Sequence, residues 1–208
     1  MGPNWPTAGE IDIIEGVNDQ ANNQMTLHSG TSNQCTLDES FSFTGQPTGN
    51  MDCYSSAGND LGCSILDTDA SSFGYGFNSG QGGVFALQWD NSYGMSIWRF
   101  ARDRIPQDIT SQTPNPANWG EPTGFWSADT CDIGANFYSH TLVFDTTICG
   151  DWAGAVYGTS GCPGTCSDIV ANAANFVGEL VDLCRDVFFV DFVRLDAKWV
   201  INYVAVYQ

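Results

Sequence analysis

The stretch Gly9-Glu10-Ile11-Asp12-Ile13-Ile14-Glu15-Gly16 sets three carboxylates among three isoleucines and closes on glycine at both ends. Isoleucine is β-branched and favours strands. Side chains of a strand alternate between faces, so Glu10 and Asp12 share one face while Ile11 and Ile13 take the other. Glu15 falls out of phase with the first two. One extra residue at Ile13-Ile14, a β-bulge, restores the phase, and bulges commonly re-aim side chains beside active sites. All three carboxylates then project from one sheet face. At the rise of a strand the Glu10 and Glu15 backbones stand about 13 Å apart. Two side chains leaning inward can close much of that distance towards the roughly 5 Å between the carboxyl groups of a retaining glycosidase. Three such groups cannot all ionise freely, so one is expected to hold a proton near neutral pH, as a general acid must. A solvated polar strand edge is the bland alternative. Calcium is another, but a run on one strand encircles a cation poorly, and neither a metal nor a cofactor is expected.

Outward from this segment, short runs of alternating or β-branched residues recur between Gly, Asn and Ser clusters. Ser40–Phe43, Gly83–Trp89, Gly94–Phe100, Ser139–Phe144 and Trp199–Tyr207 read as strands. Helical periodicity is absent over the first 170 residues, which favours an all-β sandwich or jelly roll in a single domain over an α/β fold. One stretch differs: residues 178–195, GELVDLCRDVFFVDFVRL, are dense in large aliphatics and carry Glu179, Asp182 and Asp186 at spacings that fit an amphipathic helix.

With 24 acidic residues against 6 basic ones, the chain carries a net charge of −18. A phosphate backbone or an anionic bilayer is repelled by such a surface, so nucleic acid and membrane partners are not expected. An uncharged polysaccharide meets no such barrier. Eight cysteines are scattered among small polar residues, and only Cys162 and Cys166 have close metal-ligand spacing, with no second pair nearby. Disulfides and hence a secreted, extracellular location are expected. The chain nevertheless opens on Met1-Gly2-Pro3-Asn4-Trp5-Pro6, which lacks the basic start and apolar stretch of an export signal.

The run Trp5-Pro-Thr-Ala-Gly-Glu10-Ile-Asp12-Ile-Ile-Glu15-Gly resembles the signature of glycoside hydrolase family 16 in its bulged, laminarinase-type form. The likeness continues through Met25-Thr-Leu-His28-Ser-Gly, Gly83-Val-Phe-Ala-Leu-Gln-Trp89, Cys149-Gly-Asp-Trp152-Ala-Gly and Gly161-Cys-Pro-Gly-Thr-Cys166, in the order seen in fungal endo-1,3(4)-β-glucanases. It covers residues 2–177 and 196–208. The resemblance implies a concanavalin A-like β-jelly roll acting as a monomer on β-glucan polysaccharide. Glu10 then looks like the nucleophile, Glu15 like the acid/base and Asp12 like the group that tunes the pair. Trp5, His28 and Trp152 fall where the family contacts sugar, which suits aromatic faces and an imidazole.

The resemblance also implies strands ahead of the carboxylate segment, so the jelly roll is expected to be incomplete at its N-terminus. Residues 178–195 read as an atypical insertion, such as a translated intron, with Cys184 supernumerary. A transglycosylase using the same carboxylates and an inactive glucan-binding fragment remain as alternatives.

Overall fold

The computed structural model describes residues 1–172 and 199–207. The helix and insertion expected over 178–195 lie outside them. Among the described residues seven strands form: β1 (Glu10–Glu15), β2 (Gln24–His28), β3 (Gln46–Pro47), β4 (Cys63–Leu66), β5 (Gly83–Asp90), β6 (Gly94–Ala101) and β7 (Gly124–Ser127). They make two antiparallel sheets, one ordered β1-β2-β4-β3 and the other β5-β6-β7. Helices among the described residues are short turns of at most six residues.

Alternation decides what lies between the sheets. Ile11 and Ile13 of β1, Met25 and Leu27 of β2 and Ile65 of β4 point inward. They meet Leu87 of β5, Met95 and Ile97 of β6 and Trp126 of β7 in one core. Each intervening residue of β1 and β2 therefore faces the other way, and Glu10, Asp12, Gln24, Thr26 and His28 share that outer face. β7 is a short, wholly buried strand and β6 is buried from Gly94 to Trp98, which is why Trp126 is core and Trp98 is nearly so.

Two of the five strands expected from the residue pattern, β5 and β6, form over nearly the limits read from the sequence. The other three do not. Ser40–Phe43 is a turn that lays Phe41 edge-on to Phe125 at 5.7 Å. Residues 139–144 and 199–207 run as irregular chain, with Leu142, Val143, Val200 and Val206 more than half exposed. Apolar alternation permits a strand, but only a hydrogen-bonding neighbour makes one. Thr141 exchanges backbone hydrogen bonds with Met1, but no strand ladder forms along any of these runs among the described residues. Where they meet, Phe144 lies against Trp199 at 5.6 Å, and the Trp199 indole donates to the Asp145 carbonyl.

Disulfides pin the loops to this frame. Cys35–Cys131 ties the chain after β2 to that after β7 across 96 residues of sequence, a closure worth about 4–5 kcal/mol in chain-entropy terms. Cys53–Cys63 and Cys149–Cys166 close short loops, and Cys162 is disulfide-bonded as well.

One charged cluster crosses between the sheets. Arg99 of β6 donates through Nε to Asp67 at 2.7 Å and through Nη2 to Asp69 at 2.5 Å, both just beyond β4. Arg99 and Asp67 are almost fully buried. Serine 71 and this guanidinium hold the Asp69 carboxyl down at about 2. Removing one partner of a buried pair strands the other charge. Arg99→Ala is therefore expected to lower unfolding free energy by about 3–5 kcal/mol in urea titrations; a loss inside measurement error would show that the pair carries no stability.

Candidate active site

β1 carries the carboxylates because its register breaks where the isoleucines double. Glu10 pairs with His28, Ile11 with Leu27 and Asp12 with Thr26, and the ladder resumes only at Glu15 opposite Gln24. Two β1 residues, Ile13 and Ile14, thus oppose the single residue Met25. The extra residue returns Glu15 to the face of Glu10 and Asp12, and the Thr26 hydroxyl accordingly reaches Glu15 Oε2 at 3.2 Å. Asn23, fully buried beside the bulge, accepts from the Glu15 N–H at 3.0 Å and donates to the Ile13 carbonyl at 2.9 Å.

The first end of the row is set by a tight turn over residues 3–8. Its exit, Gly9, has φ +74°, and a Cβ there would collide with the Phe137 ring and the Asn136 carbonyl, so glycine is required. The turn swings Trp5 back so that its indole Nε1–H donates to Glu10 Oε2 at 2.6 Å. The Trp5 ring also lies 6.3 Å from that of His28.

In the middle, His28 Nε2 stands 3.1 Å from Asp12 Oδ2, while Nδ1 bonds the Ser55 hydroxyl at 2.8 Å. Thr26 shares a 3.0 Å hydrogen bond with Ser64, and Gln24 donates to Ser64 at 3.3 Å. At the far end Asn18, three residues past Glu15, donates to the Ala153 carbonyl at 3.0 Å. This tether brings the segment bearing Trp152 to the Glu15 end of β1. Trp5 and Trp152 are each about 37% exposed, and every residue of β1 is half-buried. The row of acids is thus half-open to solvent, with the Trp5 indole at one end and the Trp152 segment held near the other.

The electrostatics separate the two glutamates. Burial and then the Asp12 charge raise Glu15 to about 7, against partial relief from His28 and the Thr26 hydrogen bond. Glu10 is also raised by burial and Asp12, but His28 and the Trp5 N–H pull it back. A shared environment therefore leaves Glu15 protonated near neutrality, and Glu10 is the one of the two whose anion receives a direct N–H donor. Burial alone would lower His28; the Asp12 hydrogen bond and the three surrounding carboxylates outweigh it and raise the imidazole.

Glu10, Asp12 and His28 each offer a ligand atom within 4.8 Å of the others. A cation held there would have to compete with the Trp5–Glu10 and His28–Asp12 contacts.

Of the residues singled out in the sequence, Glu10, Asp12, Glu15, Trp5 and His28 come together, and the segment bearing Trp152 is tethered near the Glu15 end of β1 through Asn18. Gln24, Asn23, Thr26, Ser55 and Ser64 were not anticipated. The parity of Gln24-Met-Thr-Leu-His28 carries a signal for two of them, since Gln24 and Thr26 alternate with core residues as His28 does. No local pattern marks Asn23, Ser55 or Ser64.

The model of the XgeA-like catalytic domain of glycoside hydrolase family 16 matches residues 1–179. A probable endo-1,3(4)-β-glucanase of Aspergillus flavus is 39% identical over 209 residues, covering 100% of this chain and 29% of its own. Among solved structures, laminarinase 16A of Phanerochaete chrysosporium, described with β-glucans in its donor and acceptor sites, superposes with a TM-score of 0.71 at 40% identity. That match covers 81% of this chain and 57% of the other. An elongating family 16 β-1,3-glucosyltransferase gives the same TM-score and identity over 89% of this chain and 57% of its own. The chain spans less than half the length of the curated relatives it matches.

Proposed function

Because this chain belongs to glycoside hydrolase family 16, in its XgeA-like branch and with that family's antiparallel β-jelly roll, we propose that it cleaves internal linkages of β-1,3(4)-glucans such as laminarin with retention of anomeric configuration. The observation that carries the proposal is the bulge of β1, which turns a carboxyl held near pKa 7 and a second carboxyl bonded to an indole N–H onto one open face.

The chemistry runs in two displacements. Ionised Glu10 attacks the anomeric carbon from below the ring. The glycosidic C–O bond breaks as Glu15 delivers its proton to the departing oxygen, and a glycosyl ester forms on Glu10. Glu15, now a carboxylate, takes a proton from water as that water attacks from above. The sugar leaves with its original configuration, Glu10 is released and Glu15 is again protonated. Asp12 keeps Glu15 protonated between turnovers by its negative charge, and the His28 imidazole beside it limits how far that charge reaches. Trp5 and Trp152 provide apolar faces for pyranose rings on either side of the scissile bond. A row half-open to solvent suits a polymer passing through, hence endo action.

Transfer to a sugar hydroxyl in place of water uses the same groups. The likeness to an elongating glucosyltransferase, equal to that to a laminarinase, keeps this second reading in place. Secretion fits the disulfides. Among the described residues no helix is long and apolar enough to cross a membrane. A single catalytic domain broken by an atypical stretch at 178–195 also belongs to this reading.

The test is to trap the ester. A 2-deoxy-2-fluoro β-laminaribiosyl fluoride slows the second displacement, and peptide mass spectrometry is expected to find the added disaccharide on Glu10. An adduct on any other residue overturns the assignment, and glucan binding with neither turnover nor adduct would mark a binding module.

A further inference from the structure

We infer that Asn23 is a positioning residue for the acid/base step, acting by clasping the bulge that aims Glu15. This rests on the reading of Glu15 as the acid/base. A bulge leaves backbone groups without ladder partners, and here the gap lies between Asp12 and Glu15. The Asn23 side-chain amide fills it like a piece of neighbouring strand. Its Oδ1 accepts from the Glu15 N–H at 3.0 Å, and its Nδ2 donates to the Ile13 carbonyl at 2.9 Å. Only a planar amide offers a donor and an acceptor in this spacing; aspartate lacks the donor and leucine both.

Asn23 is itself held on both sides. Its backbone N–H donates to Ser72 Oγ at 2.8 Å, and its carbonyl accepts from the Asp67 N–H at 2.8 Å. Ser72 and Asp67 bound a loop that Arg99 grips through Asp67 and Asp69. Asn23 and Ser72 have no exposed surface at all. The phase of Glu15 is therefore fixed from the core side, by a residue that does not touch the substrate face. Without the clasp the bulge can slide by one residue, which would turn Glu15 away from Glu10.

Such a role predicts a selective defect. Glu15 is needed to protonate a poor leaving group and to activate water, whereas a dinitrophenyl leaving group needs no proton and azide needs no base. Asn23→Ala is expected to lower kcat on laminarin by about 10²-fold with little change in KM, the scale of an angstrom-sized misplacement. With dinitrophenyl β-laminaribioside and azide it is expected to come within about threefold of the parent, yielding the β-azide. Should that variant fold poorly, Ser72→Ala loosens the same clasp from one step further away and is expected to show the same selectivity at smaller amplitude. Equal losses on both substrates, without azide rescue, would mean that Asn23 merely stabilises the fold and would overturn the inference.

Glu15→Ala is the control. If it shows the selective pattern and the Asn23 and Ser72 variants do not, the positioning role fails alone. If Glu15→Ala does not show it, or the parent does not turn over laminarin, the acid/base reading fails and the positioning role with it.

Discussion

Glu15→Gln is expected to lose about 10²- to 10⁴-fold in laminarin hydrolysis, the range that removal of a general acid/base costs, while its melting temperature at pH 8 rises above that of the parent. The two effects have one cause. Burial and the Asp12 charge hold Glu15 near 7 instead of its ordinary 4.5, so the folded protein binds a proton that the unfolded chain has already released across that interval. Stability is linked to this difference in bound protons. It falls as pH rises from about 4.5 to about 7, and above 7 the folded state carries an unwelcome charge at full cost. Glutamine keeps an oxygen for the Thr26 hydroxyl and never ionises.

Calorimetry at pH 4 and pH 8 checks this. The gain should appear only at the higher pH, at about 2–4 °C for each kcal/mol relieved in a domain of this size. The same proton governs the rate, and activity of the parent is expected to decline as pH rises through about 7. A melting temperature shifted equally at both pH values would show that Glu15 is not destabilised by its charge.

How far the sequence carries can be read from β1 and the runs that failed. Glu10, Asp12 and Glu15 were legible because three local facts coincide: β-branched spacers, a phase error of one residue and glycines at both ends. The bulge follows from those alone, since a strand that buries Ile11 and Ile13 cannot also keep Glu15 with Asp12 without an extra residue. β5 and β6 were legible for a related reason, as long runs joined by a short turn at residues 91–93 that find each other in the chain.

The runs at 139–144 and 199–207 have equal local credentials, but pairing is a property of the neighbour and not of the run. β4 and β7 show the converse. Four-residue strands with mixed composition form because β2 and β6 offer them edges. The polar shell behind the acids is hidden for the same reason. Ser55, Ser64 and Ser72 lie 27 to 49 residues from the groups they bond, and a serine in a loop announces nothing about a partner that far away.

Glu10→Gln is expected to abolish hydrolysis outright, by about 10⁴-fold or more, the scale seen when a catalytic nucleophile is taken from another hydrolase. Binding should survive, because the glutamine oxygen can still accept the Trp5 indole hydrogen that Glu10 Oε2 accepts now, and the neighbouring imidazole keeps its contacts with Asp12 and Ser55. Loss of turnover with retained laminarin affinity therefore separates a missing nucleophile from a collapsed site. A smaller residue sharpens the assignment further. In Glu10→Ala a small anion can enter from the side the carboxylate vacates, so azide should restore turnover of an activated β-glycoside and give the α-azide.

Opening the other side, with Glu15→Ala, leaves the glycosyl ester on Glu10 to be attacked from above and gives the β-azide. The configuration of the product, read by proton NMR, reports which face each carboxylate serves. Were the two variants to give the opposite azides, the roles of Glu10 and Glu15 would have to be exchanged, and the indole N–H on Glu10 would then be holding an acid rather than readying a nucleophile.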